Sequence, residues 1–149
     1  MLFKRLMGTS TPVKLPAVNL TMTPEECSAE VLRSLFGYLP EEIRGAGDTG
    51  TVITVPAAFN QMQKDSTMAA ADAAGLGRVA LMQEPVAAVM SVMRQRKNDG
   101  VFVVYDLGGG TLDIAVAESI AGRVNLLAHG GIAMCGGRDF DRILFDNIV

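Results

Sequence analysis

A chain of 149 residues with 49% hydrophobic residues is long and apolar enough to bury a core, which excludes an intrinsically disordered protein. The net charge is −3 and basic residues form no continuous run, so we expect no nucleic-acid partner. No apolar run approaches the ~20 residues of a membrane span, and the N-terminus MLFKRLMGTSTP lacks the apolar core of a secretory signal. Cys27 and Cys135 follow no metal-ligand spacing, so we expect free, buried thiols in a cytoplasmic protein.

The first half of the chain opens with a short basic and apolar turn at Phe3–Gly8, followed by an extended segment interrupted by Thr and Pro. The tetrapeptide TPEE then predicts a helix start, because Thr23 can cap, Pro24 suits the first helical position and Glu26 completes a capping box. We expect this helix to bury Val31, Leu32, Leu35 and Phe36. Residues 45–50 fit the GxGxxG dinucleotide pattern, but a strand follows where that motif requires a helix, so we predict a loop.

Strands and helices alternate over residues 51–95. A strand at Thr51–Val55, closed by Pro56, precedes a helix over about Gln61–Ala74 whose alanines permit close approach to a sheet. Gly75 and Gly77 end that helix. A strand at Arg78–Met82 leads to a helix opened by Pro85, with a predicted core face of Val86, Val89, Met90 and Met93 and a cationic end at 94–97. This alternation of strands and helices predicts a parallel sheet covered by helices. Residues 98–100, Asn-Asp-Gly, predict a turn after the second helix.

The most informative stretch is VFVVYDLGGGTLDIAVAESI, residues 101–120. Val101–Tyr105 predicts a buried strand, and a second strand places Leu112, Ile114 and Val116 on one face. Glycines 108–110 predict a tight hairpin through positive φ, and three in succession leave bare backbone N–H groups that can hold phosphate oxygens. Asp106 and Asp113 flank this patch and are suited to a hydrated Mg²⁺, with the Thr111 hydroxyl beside the terminal phosphate. The alternative is a glycine-rich turn with two exposed acids.

The chain closes with a predicted strand at Val124–Ala128, the glycine pairs 130–131 and 136–137, and a helix from about Asp139. One face of that helix carries Phe140, Ile143, Leu144 and Ile148. It has no stop signal, so we expect the chain to end inside a domain. We interpret His129, which lies among glycines, as a turn residue rather than a base.

Five stretches, in matching order and spacing, resemble the nucleotide-binding domain of the seventy-kilodalton heat-shock chaperones, members of the actin-like ATPase superfamily. They are FKRLMG at Phe3–Gly8, TVPAAFN at Thr54–Asn60, QEPVAAV at Gln83–Val89, VYDLGGGTLD at Val104–Asp113 and GGRDFD at Gly136–Asp141. The resemblance implies an incomplete actin-like ATPase (ribonuclease H-like) α/β fold, a mixed sheet with helices and parts of two lobes. Residues 1–99 would form part of the first lobe with a shortened insertion, and residues 100–149 the start of the second.

The same resemblance implies a site for ATP or ADP with Mg²⁺, in a chaperone that hydrolyses ATP during protein folding and the stress response. Lys4 would reach the β- and γ-phosphates, and Glu84 would hold or polarise the attacking water. Pro56, with Lys64 nearby, would relay the nucleotide state. The implied catalytic residues are Lys4, Glu84, Asp106 and Thr111; the nucleotide would contact Lys4, Gly108, Gly109, Gly110, Thr111, Gly136 and Gly137; Asp106 and Asp113 would arrange the metal. Partners in a complete protein would be unfolded client polypeptides, a J-domain co-chaperone and a nucleotide-exchange factor.

Departures from the family pattern leave alternatives open. The first phosphate loop of the Asp-Gly-Thr-Thr type and the adenosine-contacting segments have no counterpart, and Ala58, Lys64 and Arg138 stand where an aromatic residue, Arg and Glu are usual. The chain is therefore interpreted as part of an ATP-hydrolysing chaperone or as a truncated, non-catalytic remnant or interaction module. A filament protein or sugar kinase of the superfamily fits the motifs less well. Because half a cleft leaves phosphates open to water, we expect the isolated chain to bind Mg·ATP weakly or not at all.

Overall fold

The structure is a computed structural model that describes residues 3–44, 46, 50–95 and 99–148. Most of the GxGxxG stretch, at 45 and 47–49, lies outside these residues, as do 96–98 of the predicted cationic helix end and turn. The elements are a 3₁₀ helix Phe3–Leu6, β1 Val13–Leu15, a 3₁₀ helix Pro16–Val18, β2 Leu20–Met22, α1 Pro24–Gly37, α2 Glu41–Arg44, β3 Thr51–Val55, α3 Gln61–Ala73, β4 Val79–Gln83, α4 Glu84–Gln95, β5 Gly100–Leu107, β6 Leu112–Ile120, β7 Arg123–Ile132 and α5 Gly137–Ile148. This order confirms the mixed α/β class and the predicted succession of elements from 51 onwards.

Two compact units make up the chain: Met1–Ile53 with Phe59–Leu81, called unit 1, and Thr54–Ala58 with Met82–Val149, called unit 2. The described strands form three sheets, β1–β2, β3–β4 and β5–β6–β7. The antiparallel β1–β2 hairpin stands where the sequence predicts only an extended segment, and Asn19 between its strands has a left-handed φ of 49°. The assignment of residues 1–99 and 100–149 to two lobes stays a prediction.

Capping boxes start both long helices of unit 1. The Thr23 hydroxyl accepts a hydrogen bond from the Glu26 N–H (3.1 Å), and the Glu26 carboxylate accepts one from the Thr23 N–H (2.7 Å). This confirms the helix start predicted from TPEE. Asn60 and Gln63 form the same reciprocal pair at the start of α3, with distances of 3.0 and 2.9 Å. Each box gives hydrogen-bond partners to two backbone N–H groups that lack an intrahelical acceptor at the start of a helix.

The core of unit 1 is built from small residues that bring α1 and α3 together. Its buried members are Ala29, Ala70, Ala71, Ala74 and Leu76, and the half-buried Leu32, Phe36, Ile53 and Val79 pack against them. The alanines thus permit close approach of a helix as well as of strands. The prediction that α1 buries Val31 and Leu35 is wrong, because both lie outside the narrow stripe that faces α3 and are 47% and 58% exposed.

Unit 2 is an antiparallel meander in which β6 is the central strand. Its register runs from Gly100↔Ser119 to Leu107↔Leu112 on one side and from Leu112↔Ile132 to Ile120↔Arg123 on the other. Helix α4 contacts all three strands and covers the face that carries the buried side chains of Ala115, Ala117 and Ser119.

Only one face of this meander is covered within the described residues. The predicted burial of strand Val101–Tyr105 is wrong: β5 is an edge strand, and Val101, Val103 and Tyr105 are exposed on the opposite face. In α4, Val89 is buried and Val86 and Met93 are half-buried, but the predicted core residue Met90 is exposed because it turns away from the sheet. The apolar face of α5 is exposed along its length.

Candidate functional site

The loop between β5 and β6 consists of Gly108, Gly109, Gly110 and Thr111. The Gly108 N–H donates a hydrogen bond to the Thr111 carbonyl oxygen (3.0 Å), which closes the loop. Gly108 and Gly109 do not have a positive φ, so the reason predicted for these two glycines is wrong. A Cβ on Gly109 would meet nothing within 4 Å. The side of Gly109 on which a side chain would project is therefore open.

The start of α5 packs directly onto this loop. The N–H groups of Gly137 and Arg138 donate hydrogen bonds to the carbonyl oxygens of Gly108 (3.0 Å) and Gly109 (3.1 Å). A Cβ on Gly136 would lie 2.5 Å from the backbone nitrogen of Gly110, a distance that real Cβ atoms do not show. The two glycine-rich motifs, GGG and GGRDFD, therefore form one structural unit in which glycine at 136 is required for close approach.

Three of the predicted acids line one cavity within unit 2. This cavity has a volume of about 210 Å³, and Glu84, Asp106 and Asp113 are among its lining residues. Asp106 and Asp113 are direct cross-strand partners in the β5–β6 register, while Glu84 is the first residue of α4. Like charges directly opposite each other in a sheet are destabilising. The arrangement thus favours a bound cation or positively charged group between the acids.

One further lining residue on the sheet face of the acids was missed in the sequence. His129 borders the cavity. The interpretation of His129 as a turn residue is wrong, because it lies within β7 and pairs with Ala115. Strand alternation is the pattern that would have found it: Ala115 is two residues from Asp113 on the same face of β6, so its cross-strand partner shares that face.

The family model described as "Hsp70 protein" matches residues 3–149. The chain belongs to the Hsp70 family. This confirms the resemblance and the partial actin-like ATPase fold, and it makes the chain a portion of a nucleotide-binding chaperone domain. The alternatives of a non-catalytic remnant, a filament protein or a sugar kinase gain no support from this match.

Similar proteins in bacteria carry the name "Chaperone protein HscA homolog". The Hsp70-family chain is 43% identical over 133 residues to the one from Aromatoleum aromaticum, covering 89% of this chain and 21% of that protein. Identity is 45% over 123 residues to the one from Neisseria meningitidis serogroup B, covering 83% of this chain and 20% of that protein. The chain thus spans about a fifth of the length of the curated relatives it matches.

The remaining predicted site residues of the Hsp70-family chain lie in several elements. Lys4 is in the 3₁₀ helix Phe3–Leu6 and Lys64 is in α3, both in unit 1. Pro56 is buried directly after β3, and Thr111 is half-buried at the end of the glycine loop. Their roles toward a nucleotide stay predictions.

The donor set of the cavity fits a magnesium ion. Among the residues that the structure describes, no three His, Cys, Asp or Glu side chains group together as a metal-holding cluster. A magnesium ion at a nucleotide site needs no such cluster, because one or two carboxylates suffice when phosphates and water supply the other oxygens. The paired Asp106 and Asp113 meet that requirement.

No helix in the described part of the chain has the length and apolar character to cross a membrane.

Proposed function

We propose that this chain supplies the magnesium- and phosphate-contacting part of an ATP site in a chaperone that couples ATP hydrolysis to protein folding. The observation that carries the proposal is that Glu84, Asp106 and Asp113 line one cavity together. Asp106 precedes the glycine loop by two positions, and Asp113 follows it by two. A phosphate chain on the loop would therefore have carboxylates on both flanks.

The acids have separate roles in this proposal. Asp106 and Asp113 would hold a hydrated magnesium ion, and Glu84 would orient the water that attacks the γ-phosphate. When bound, the ion would neutralise charge on the phosphates, which is the main requirement of phosphoryl transfer besides positioning. Glu84 suits its role because it opens α4 at the end of β4, where a helix and a strand both restrict its backbone.

The glycine loop offers backbone rather than side chains to a ligand. Neither backbone conformation nor packing among the described residues requires glycine at 109, since its φ is not positive and a Cβ there would contact none of them within 4 Å. Close approach of a phosphate from outside explains the residue, because only a bare backbone lets phosphate oxygens reach N–H groups. Gly108, Gly110 and Thr111 would complete the cradle, with Gly136 and Gly137 behind it.

The remaining parts of the proposal come from the family. Lys4 would supply a positive charge to the β- and γ-phosphates, and Pro56 with Lys64 would relay the nucleotide state. The names of the HscA relatives support a chaperone function for a protein containing this chain. Client polypeptides, a J-domain co-chaperone, a nucleotide-exchange factor, a role in stress and a cytoplasmic location belong to the same proposal.

Amide NMR of the 149-residue chain tests the site directly. We expect millimolar ATP with Mg²⁺ to shift the amide resonances of Gly109 and Thr111, and Asp106→Asn to remove the dependence of these shifts on Mg²⁺. Asp146→Asn is the matched control, because it makes the same charge change on the exposed surface of α5, outside the cavity lining. Equal responses of the two variants, or no shift at the loop, would refute the proposal.

Turnover provides the second test, in a protein that contains this chain and hydrolyses ATP. Glu84→Ala should slow hydrolysis by more than about tenfold, which corresponds to about 1.4 kcal/mol in the barrier. Unchanged turnover would remove Glu84 from the proposed mechanism while leaving the binding test intact.

A further inference from the structure

His129 is the one histidine in the sequence, and it lines the cavity that contains the three acids. It lies in β7 opposite Ala115, whereas the residue directly opposite Asp113 is Gly131. His129 is therefore the diagonal cross-strand neighbour of Asp113 on the same sheet face. Diagonal pairs have Cα atoms about 7–8 Å apart, which long side chains can bridge.

Gly131 keeps the space between these two side chains open. A Cβ on Gly131 would lie 3.2 Å from Oδ1 of Asp113 and 2.4 Å from the carbonyl oxygen of Leu112. A side chain at this position would thus displace Asp113 or the β6 backbone. With glycine there, nothing from β7 stands directly over the Asp113 carboxylate, and His129 is the nearest β7 residue on that face with a metal-binding atom.

We propose that His129 and Asp113 form a nitrogen–oxygen ligand pair that lets the cation site accept a transition-metal ion such as Zn²⁺ or Co²⁺ in place of Mg²⁺. Imidazole nitrogen is a good ligand for these ions and a poor one for Mg²⁺, which takes oxygen. Metal–ligand distances of about 2.0–2.2 Å on each side allow one ion to join a histidine and a carboxylate across adjacent strands. The inference rests on the proposed function for the existence of the cation site.

The pair needs only two protein ligands, which agrees with the finding that no group of three exists among the described residues. Water or phosphate oxygens would complete the coordination. The other two acids of the cavity, Glu84 and Asp106, add negative charge that favours any divalent cation. His129 therefore changes which metal is preferred rather than whether a cation binds.

Zinc titration of the ¹⁵N-labelled 149-residue chain, without nucleotide, tests the pair. Because the chain has one histidine, a single imidazole spin system reports coordination, and a directly coordinated ring nitrogen shifts strongly while a merely nearby one does not. We expect Zn²⁺ to produce this shift, and Asp113→Asn to weaken the apparent zinc affinity at least ~10-fold. His129→Ala should weaken zinc affinity by a similar factor and leave Mg²⁺ affinity unchanged.

Controls separate this pair from other zinc ligands. Asp146→Asn should leave zinc affinity unchanged, and so should Cys135→Ser, which removes a half-buried thiol, a group that is a common zinc ligand in proteins. An unshifted imidazole, full zinc affinity in Asp113→Asn, or loss of the shift in Cys135→Ser would each overturn the inference. If the loop amides respond to Mg·ATP but zinc does not shift the imidazole, the His129–Asp113 pair is refuted and the proposed ATP site is not. If zinc shifts the imidazole but the loop amides do not respond to Mg·ATP, the proposed ATP site is refuted and the pair is not.

Discussion

Gly136→Ala is the sharpest perturbation that the structure offers. The added Cβ would lie 2.5 Å from the nitrogen of Gly110, 2.6 Å from the carbonyl carbon of Gly109 and 2.8 Å from the carbonyl oxygen of Gly108. All three atoms belong to the backbone, so no flexible side chain can move aside. The loop and the start of α5 must separate instead.

The cost has two parts. Overpacking of a tight contact costs about 1–3 kcal/mol. Separation also weakens the hydrogen bonds from the N–H groups of Gly137 and Arg138 to the loop carbonyls, each worth about 0.5–1.5 kcal/mol. We therefore expect Gly136→Ala to lower the free energy of unfolding by about 2–4 kcal/mol and to increase hydrogen exchange at the loop amides.

Gly109→Ala is the matched control, because it adds the same methyl group to the same loop in open space. Urea unfolding should place it within about 0.5 kcal/mol of the unsubstituted chain, as for a surface substitution. Its loop amides should nevertheless lose their response to Mg·ATP, because the methyl group blocks the proposed phosphate approach. Equal stability of Gly136→Ala and Gly109→Ala would show that the α5 start does not hold the loop.

Four further predictions concern the fold of unit 1 and the thiols. Thr23→Ala removes the α1 cap and should cost about 1 kcal/mol in urea unfolding; an unchanged midpoint would count against the capping box. Ala70→Leu should cost about 1–3 kcal/mol because Ala70 is fully buried between helices, whereas Ala69→Leu on the exposed side of the same helix should be nearly neutral. Burial raises the pKa of the Cys27 thiol, so Cys27 should alkylate more slowly than half-buried Cys135 at mildly alkaline pH, and equal rates would contradict this. The stability contributed by the protonated Cys27 thiol is present below the thiol pKa of the unfolded chain and is lost as pH rises through the folded pKa, which a pH series of urea unfolding should show as a decline in alkaline solution.

The first and last residues of the helices were the part of the fold that the sequence predicted best. The TPEE box and the glycines at 75 and 77 act through hydrogen bonds and backbone conformations between near neighbours, and both glycines have positive φ. The predicted helix Gln61–Ala74 accordingly differs by one residue from α3. The β1–β2 hairpin escaped prediction because its strands are three residues each, too short for alternation to show.

Burial was predicted less well, because it depends on partners distant in the sequence. Val101–Tyr105 has the composition of a buried strand, yet β5 is an edge strand with one uncovered face in this chain. Val31 and Met90 are apolar and helical, but each points away from the element that its helix packs against. Apolar character at a position shows that burial is possible, and only the neighbouring elements determine whether it occurs.

The sequence by itself determined the family, the order of elements from residue 51 and the identity of the acids at 84, 106 and 113, because motifs and caps are local patterns of residue type. Tertiary structure decided that these acids line one cavity, since the β5–β6 register places Asp106 opposite Asp113 and the start of α4 adds Glu84. It also decided that His129 joins them and that Gly136 supports the glycine loop. Both depend on strand register and close backbone contact, which are set by packing across the fold rather than by neighbours in the chain.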